Sequence, residues 1–161
     1  MLVFDSSTLI LLAKTELLDV LLENYRKGVA IPEEVEKESI VKGTFDALLI
    51  RKRIDEGKIQ VKKARDKKTG KFMEDFNIDL EEAEAIMLAL QENAILGTDD
   101  KNAINACRLL KIPFTTAIDI LIRTKEKEFI TKEQARKKLE ILSLYGRYKK
   151  EIIEDAKRRL E

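Results

Sequence analysis

Acidic side chains stand at four separated places in the chain where a hydrolytic site could form. Asp5 ends the first apolar segment, Glu38 follows the second, Glu82 opens a later helical segment, and the pair Asp99–Asp100 follows a further apolar segment. Converging carboxylates repel one another and raise each other's pKa unless a cation offsets their charge. Mg²⁺ or Mn²⁺ would suit such a group, because hard cations prefer oxygen ligands. Metal ions held in this way can activate water for phosphodiester hydrolysis.

Each of these acids also has a purely structural alternative. Asp5 could cap a helix that starts near Ser7, Glu82 could be only the acid of a capping box that begins at Asp79, and Asp99–Asp100 could be a helix N-cap. The acids at 33–38 could form a solvated face near a helix N-terminus. The joint placement of the acids, rather than any single one, favours a site.

Two hydroxyl side chains accompany the acids. Ser7 stands two residues after Asp5, and Thr98 directly precedes the Asp99–Asp100 pair. Either could hold a metal-bound water or a phosphate oxygen. Ser7 could equally cap a helix, and Thr98 could simply end a strand.

The composition excludes the other common hydrolytic chemistries. The chain has 161 residues, no His and one Cys, so it lacks a Ser-His-Asp triad, a His-ligated metal and an internal disulfide. Cys107 lies in an apolar helical segment and is expected to be an inert core residue. The charged fraction of 38% with three Gln is typical of thermophile proteins.

Short apolar strands alternate with helices along the chain, which predicts an α/β fold with a parallel sheet. The predicted strands cover 2–5, 29–31, 59–61, 94–97 and 113–115. The predicted helices cover 7–24, 32–41, 44–56, 80–92, 101–111, 117–126, 131–143 and 146–160, and 62–75 is expected to be a basic loop or hairpin. Ligands bind outside the carboxyl ends of such strands, where Asp5 and Asp100 fall.

The net charge of +1 conceals segregated charges. Residues 51–72 carry ten basic and three acidic side chains, 73–84 carry six acidic and no basic ones, and 121–161 carry thirteen basic and eight acidic. Basic patches beside an acidic centre suit a polyanion held near a bound cation, although solvated helix faces are the plainer reading. The longest early apolar run, 9–13, is far too short to span a membrane, so we expect a cytoplasmic protein.

Four motifs in this order resemble those of PIN-domain proteins, and most closely the prokaryotic group that includes the VapC-type toxins. The motifs are VFDSSTLI at 3–10, IPEEVEKE at 31–38, EEAEAIMLAL at 81–90 and TDDKNAINACRLLKIP at 98–113. The resemblance covers residues 1–125. It implies a Rossmann-like three-layer α/β/α sandwich with a short parallel central sheet, as a domain over 1–126. The helical extension at 127–161 would pack on that domain or on a partner.

The resemblance also implies a ribonuclease that uses Mg²⁺ or Mn²⁺. Carried over by motif, the catalytic acids are Asp5, Glu38, Glu82 and Asp100, with Glu84 as the nearby candidate for the third. The predicted metal ligands are Asp5, Glu82, Asp99 and Asp100, and Ser7 and Thr98 are secondary candidates. The predicted RNA contacts are Arg51, Lys52, Arg53, Lys62, Lys63 and Lys101.

Likeness to toxins further implies a cognate antitoxin protein and a homodimer. A Glu where the family usually has Asp at the third acid leaves a second hypothesis open. In that hypothesis the domain is a non-catalytic PIN-like module that binds RNA or a protein.

Overall fold

A computed structural model describes residues 1–64 and 67–161, and a parallel sheet forms its centre. The strand order is β3-β2-β1-β4-β5, and every pair of neighbours runs parallel. Leu2 stands opposite both Val29 and Ile95, so β1 lies between β2 and β4. The strands are Leu2–Phe4 (β1), Val29–Pro32 (β2), Gln60–Lys62 (β3), Ile95–Gly97 (β4) and Phe114–Thr115 (β5).

Helices pack around this sheet and connect its parallel strands, which confirms the predicted α/β fold. In the described part of the chain they are Ser6–Lys14 (α1), Leu17–Asn24 (α2), Glu33–Ile40 (α3), Phe45–Asp55 (α4), Thr69–Phe76 (α5), Leu80–Glu92 (α6), Lys101–Leu110 (α7), Ala117–Glu126 (α8), Lys132–Tyr145 (α9) and Lys150–Leu160 (α10). None of these described helices is long and apolar enough to cross a membrane.

The single helix predicted over 7–24 is two helices, α1 and α2. The Thr15 hydroxyl donates to the carbonyl oxygens of Leu11 and Leu12 at 2.8 and 3.1 Å, and Glu16 then adopts a left-handed backbone with φ of 60°. A residue other than Gly in that region ends a helix. The leucine periodicity continues through the break and therefore hid it.

The predicted basic loop at 62–75 is also partly wrong, because its second half is helical. α5 begins at Thr69, and residues 65 and 66 lie outside the described part. Phe72 and Phe76 are four residues apart on α5, and their rings meet edge to face with centroids 5.9 Å apart. Their apolar face packs against the core, which gives this basic segment a reason to be helical.

The core lies between the sheet and its helices. Phe4, Ile31 and Leu96 of the three central strands are fully buried, as are Ile86 and Leu88 of α6. Strands buried on both faces read as continuous apolar runs, which is why the sequence identifies them well. The predicted core residue Cys107 is a buried free thiol, and burial raises its pKa to about 11.

The last two helices pack on the rest of the chain. α9 contacts α8 and α1, and α10 contacts α9 and α8. The Lys138 ammonium donates to the carbonyl oxygen of Thr15 at 2.7 Å, and the Lys14 ammonium lies 4.6 Å from the centroid of the Tyr145 ring. The division into a domain at 1–126 and an extension at 127–161 stays a prediction.

Candidate metal centre

The carboxyl ends of β1 and β4 lie side by side, and the segments that follow them start the site. Phe4 stands opposite Gly97 in the sheet, and the backbone N–H of Asp5 donates to the carbonyl oxygen of Gly97 at 3.2 Å. Asp5 and Thr98 therefore leave the sheet next to each other. This edge is where open α/β sheets bind ligands.

Asp5 is buried at this edge and accepts two hydrogen bonds. The Thr98 hydroxyl donates to Oδ2 at 2.5 Å, and the backbone N–H of Thr8 donates to Oδ1 at 2.9 Å, so Asp5 also caps α1. Burial raises the pKa of Asp5 to about 6, and the nearby charge of Asp99 adds to the effect. Asp5 is thus an acid that is costly to ionise without a neighbouring cation.

Thr98 connects Asp5 to Asp100. While its hydroxyl donates to Asp5, its oxygen accepts the backbone N–H of Asp100 at 3.2 Å. The Asp100 carboxylate caps α7 by accepting the backbone N–H of Ala103 at 2.9 Å. One buried hydroxyl therefore holds two of the predicted acids in a fixed relation.

A second acidic group comes from the N-terminus of α6. Asp79 and Glu82 form the predicted capping box, in which each side chain accepts the other's backbone N–H at 3.0 Å. One carboxylate oxygen from each of Asp79, Glu81 and Glu82 lies within 4.8 Å of the others, so these three could hold a metal ion. Burial raises the pKa of Glu82 to about 7, and the charges of Asp100, Asp79 and Asp5 add to it. α6 contacts β1, which precedes Asp5, and α7, which follows Asp100, so Glu82 lies on the side of these two acids.

Glu81 is the member of the site that sequence reasoning missed. Its side chain is only 5% exposed, and its Oε2 accepts the backbone N–H of Ser6 at 3.1 Å. Burial raises its pKa to about 9, and the Asp5 charge contributes. The available signal was helical spacing, because Glu81 stands four and seven residues before the buried Ala85 and Leu88 and so lies on the same inner face.

Glu38 lies at the rim of this group rather than inside it. Its side chain is exposed, it interacts with the Ser6 hydroxyl, and its pKa is raised by partial burial and by the charge of Asp79. The Lys42 charge acts in the opposite direction. Ser6 interacts with Glu81 as well, so it lies between the rim and the interior.

Two other predicted candidates point elsewhere. The pKa of Glu84 is raised by partial burial and by the charges of Glu34 and Glu33, which places this carboxylate against α3. Ser7 is exposed, and its neighbours Ser6 and Thr8 make the contacts of this turn. The structure therefore does not bring Glu84 or Ser7 into the acidic group.

Asp99 occupies a polar junction next to Asp100. It accepts hydrogen bonds from the Thr8 hydroxyl at 2.7 Å, the Tyr148 hydroxyl at 2.7 Å and the backbone N–H of Ala117 at 3.3 Å. Burial raises its pKa. Three protein donors thus hold the Asp99 carboxylate in place, and its role as a metal ligand stays a prediction.

The predicted RNA contacts on α4 lie away from this edge. Arg53 binds the Asp19 carboxylate at 2.6 and 2.9 Å and Glu56 at 2.7 Å, and Asp19 belongs to α2, beyond the far end of α1. Arg51 and Lys52 are exposed on the same helix.

The remaining predicted contacts come from β3 and α7. Lys62 pairs with Glu92 at 3.0 Å, and Lys63 is exposed one residue beyond β3. Lys101 is exposed directly after Asp100. Of the predicted basic contacts, Lys101 alone adjoins a site acid in the chain.

The donor set fits a hard divalent cation. Asp5, Glu81, Glu82 and Asp100 offer only oxygen atoms, and within residues 1–64 and 67–161 none of them forms an ion pair with Lys or Arg. Burial without a cationic partner raises the pKa of the first three. Oxygen ligands of this kind suit Mg²⁺ and Mn²⁺.

Comparison with known proteins gives one family match. The family model described as DUF3368: PIN domain matches residues 1–161, and so spans the acidic group and the last two helices. No curated protein matches the chain.

Proposed function

Because the chain belongs to the PIN-domain family, we propose that it is a metal-dependent ribonuclease whose centre is the group of Asp5, Glu81, Glu82 and Asp100. The observation that carries this proposal is the convergence of these carboxylates without a basic partner among the described residues. Such a group is unstable when fully ionised unless a cation is bound. Because PIN domains are nuclease-type proteins, we expect that cation to serve phosphodiester hydrolysis.

The chain's own residues would hold and orient the reacting groups. Mg²⁺ or Mn²⁺, when bound, would supply a Lewis acid and an activated water for phosphodiester hydrolysis. Asp5 and Asp100 would be ligands in a relation set by Thr98, and Glu81 and Glu82 would complete the oxygen set from α6.

Residues around the ligands would act on the substrate. Glu38 at the rim would face the RNA strand, and exposed Lys101 would contact a phosphate next to the scissile one. This arrangement leaves Thr98, Ser6 and Asp99 as positioning groups.

A cleavage assay with labelled RNA and Mn²⁺ tests the proposal. We expect the wild type to cleave, and Asp5→Asn and Asp100→Asn each to lose at least about 100-fold in rate, because each removes a charged ligand. Glu84→Gln is the matched control and should retain activity. It removes a carboxylate of α6, the helix of Glu81 and Glu82, that faces α3 instead of the site. The proposal is wrong if the wild type does not cleave, or if Asp5→Asn and Asp100→Asn cleave like the control.

A second candidate is a PIN-like module that binds RNA or a protein without cutting. One observation favours it: an oxygen of Glu82 is already engaged in the capping box with Asp79. RNA binding measured by calorimetry discriminates between the two. Binding unchanged by removal of divalent ions and by Asp100→Asn, without cleavage, would support the module.

The toxin role, with an antitoxin partner and a homodimer, is a finer proposal. Its support beyond the resemblance is an exposed apolar surface just after α3 and at the start of α4, where Val41, Phe45 and Leu48 are 76%, 68% and 60% exposed. Surfaces of this kind mark protein contacts. Light scattering tests the dimer, and a single 18.5 kDa species at high concentration would contradict it.

A further inference from the structure

The connection between α9 and α10 contacts the residue next to the site acid Asp100. The Tyr148 hydroxyl donates to Oδ1 of Asp99 at 2.7 Å, and Asp99 directly precedes Asp100. Burial raises the pKa of Tyr148, and the charges of both Asp99 and Asp5 add to this. The tip of a tail residue therefore lies close to the acids of β1 and β4.

The connection is shaped to hold Tyr148 in that place. A Cβ added at Gly146 would collide with the Tyr148 ring and with the carbonyl oxygen of Leu142, so the ring packs where only Gly leaves room. α9 before it is fixed to α1 by the hydrogen bond from Lys138 to Thr15.

Basic side chains flank this anchored tyrosine on both sides. Arg147 and Lys149 are exposed, and neither pairs with an acid in the described part of the chain. The next residue, Lys150, is 86% exposed, and its ammonium lies 3.9 Å from the Glu154 carboxylate. Consecutive Cα atoms lie about 3.8 Å apart, so these side chains begin one or two residues from a group that contacts Asp99.

We propose that Arg147 and Lys149 bind the phosphate backbone of the RNA strand that enters the candidate metal centre. This inference rests on the proposed ribonuclease function. A polyanion that approaches four carboxylates is repelled unless cationic side chains stand beside them, and unpaired exposed cations are free to neutralise phosphates. The basic residues Arg51 and Lys52 do not meet this need, because they lie on α4 with Arg53, which binds Asp19.

The test compares two double variants that each remove two exposed positive charges, R147A/K149A and R51A/K52A. Binding of a fluorescent single-stranded RNA is measured by anisotropy without divalent ions at several salt concentrations, and cleavage is measured in parallel with Mn²⁺. We expect R147A/K149A to bind about tenfold more weakly whatever the RNA sequence, and its plot of log K against log salt to be shallower by about 1.4. R51A/K52A should match the wild type.

A charge-conserving variant separates charge from shape. R147K/K149R should keep the affinity and the salt dependence of the wild type, because phosphate neutralisation requires the charges and not the particular side chains. If the wild type binds and cleaves RNA while R147A/K149A behaves like R51A/K52A, this inference is overturned and the proposed function stands. A wild type that neither binds nor cleaves RNA overturns both.

Discussion

At the scale of single residues, three acids of the candidate site also cap helices. Asp5 caps α1, Asp100 caps α7 and Glu82 closes the capping box of α6. The structural and functional interpretations of these acids are therefore compatible. The reason is geometric, because the helices that follow parallel strands begin at the carboxyl edge, where their free N–H groups favour carboxylates.

The same scale carries a prediction for Tyr148. Tyr148→Phe removes the donor to Asp99, and we expect the free energy of unfolding to fall by about 2 kcal/mol, as for a hydrogen bond to a charged group. Tyr145→Phe is the control, because Tyr145 is half-exposed and its ring keeps the contact with Lys14. Denaturant unfolding measures both.

The RNA-binding assay gives a second readout for the same pair. Tyr148→Phe should weaken RNA binding by releasing Arg147 and Lys149, while Tyr145→Phe should leave it unchanged. Equal stability and equal binding in the two variants would show that the bond to Asp99 positions nothing.

At the scale of elements, the sequence predicts those parts whose signal is local. Buried strands appear as apolar runs, and the N-caps Asp79 and Thr131 identify the starts of α6 and α9. The break at Glu16 was missed because it depends on the backbone conformation of one residue. Helix α5 was missed because it depends on the packing of Phe72 and Phe76 against the core. Tertiary packing overrides local propensity in such segments.

For the candidate site too, the sequence predicts the residues whose signal is local and misses those that depend on long-range contacts. Asp5, Glu82 and Asp100 were predicted as site residues because strand ends and motif spacing point to them. Glu81 and Tyr148 were not, because their roles depend on contacts with residues 75 and 49 positions away in the chain. Contacts over such separations leave no short-range pattern.

Gly97 of β4 allows a prediction about the packing of neighbouring strands. A Cβ at Gly97 would overlap the ring of Phe4, its partner in β1. Gly97→Ala should lower the free energy of unfolding by about 1–3 kcal/mol through overpacking. It should also weaken Mn²⁺ binding, because Asp5 follows Phe4.

Gly70→Ala is the matched control for that substitution. Gly70 lies in α5 with nothing within 4 Å of an added Cβ, so the change should stabilise the protein by up to about 1 kcal/mol. Thermal unfolding and Mn²⁺ titration of both variants check the pair. Equal stability of Gly97→Ala and the wild type would mean that β1 and β4 accommodate the added methyl group without a loss of stability.

At the scale of the whole molecule, the net charge of +1 is the sum of opposed surfaces. The acids gather at the carboxyl edge of the sheet, while Arg53 of α4 binds Asp19 away from it. The tail brings Tyr148 to Asp99 at that edge, with Arg147 and Lys149 as its neighbours in the chain. The charge pattern of the sequence predicts an acidic centre with basic flanks. The same pattern favours 51–72 as the main flank, because linear charge density cannot show which basic segment folds beside the acids.

The concentration of buried acids predicts how stability depends on pH. The folded-state pKa values of Asp5, Glu82 and Glu81 are raised to about 6, 7 and 9. The folded protein therefore binds more protons than the unfolded chain between about pH 4 and pH 9. Their contribution to stability is complete at low pH and is lost as pH rises through the folded-state values. For the metal-free protein we expect stability to fall from pH 5 to pH 8.

Bound Mn²⁺ should reverse this trend, since it requires ionised ligands and its binding releases protons. The stabilisation by a fixed Mn²⁺ concentration should grow with pH over the same window.

Glu81→Gln isolates the contribution of Glu81, because a neutral side chain at this position removes up to about 1.4 kcal/mol of the loss in stability per pH unit in the metal-free protein. The same change should weaken Mn²⁺ binding. Melting temperatures of both proteins from pH 5 to pH 8, with EDTA and with Mn²⁺, give the answer. A metal-free wild type that is equally stable across this range would show that these carboxylates are already compensated within the folded chain.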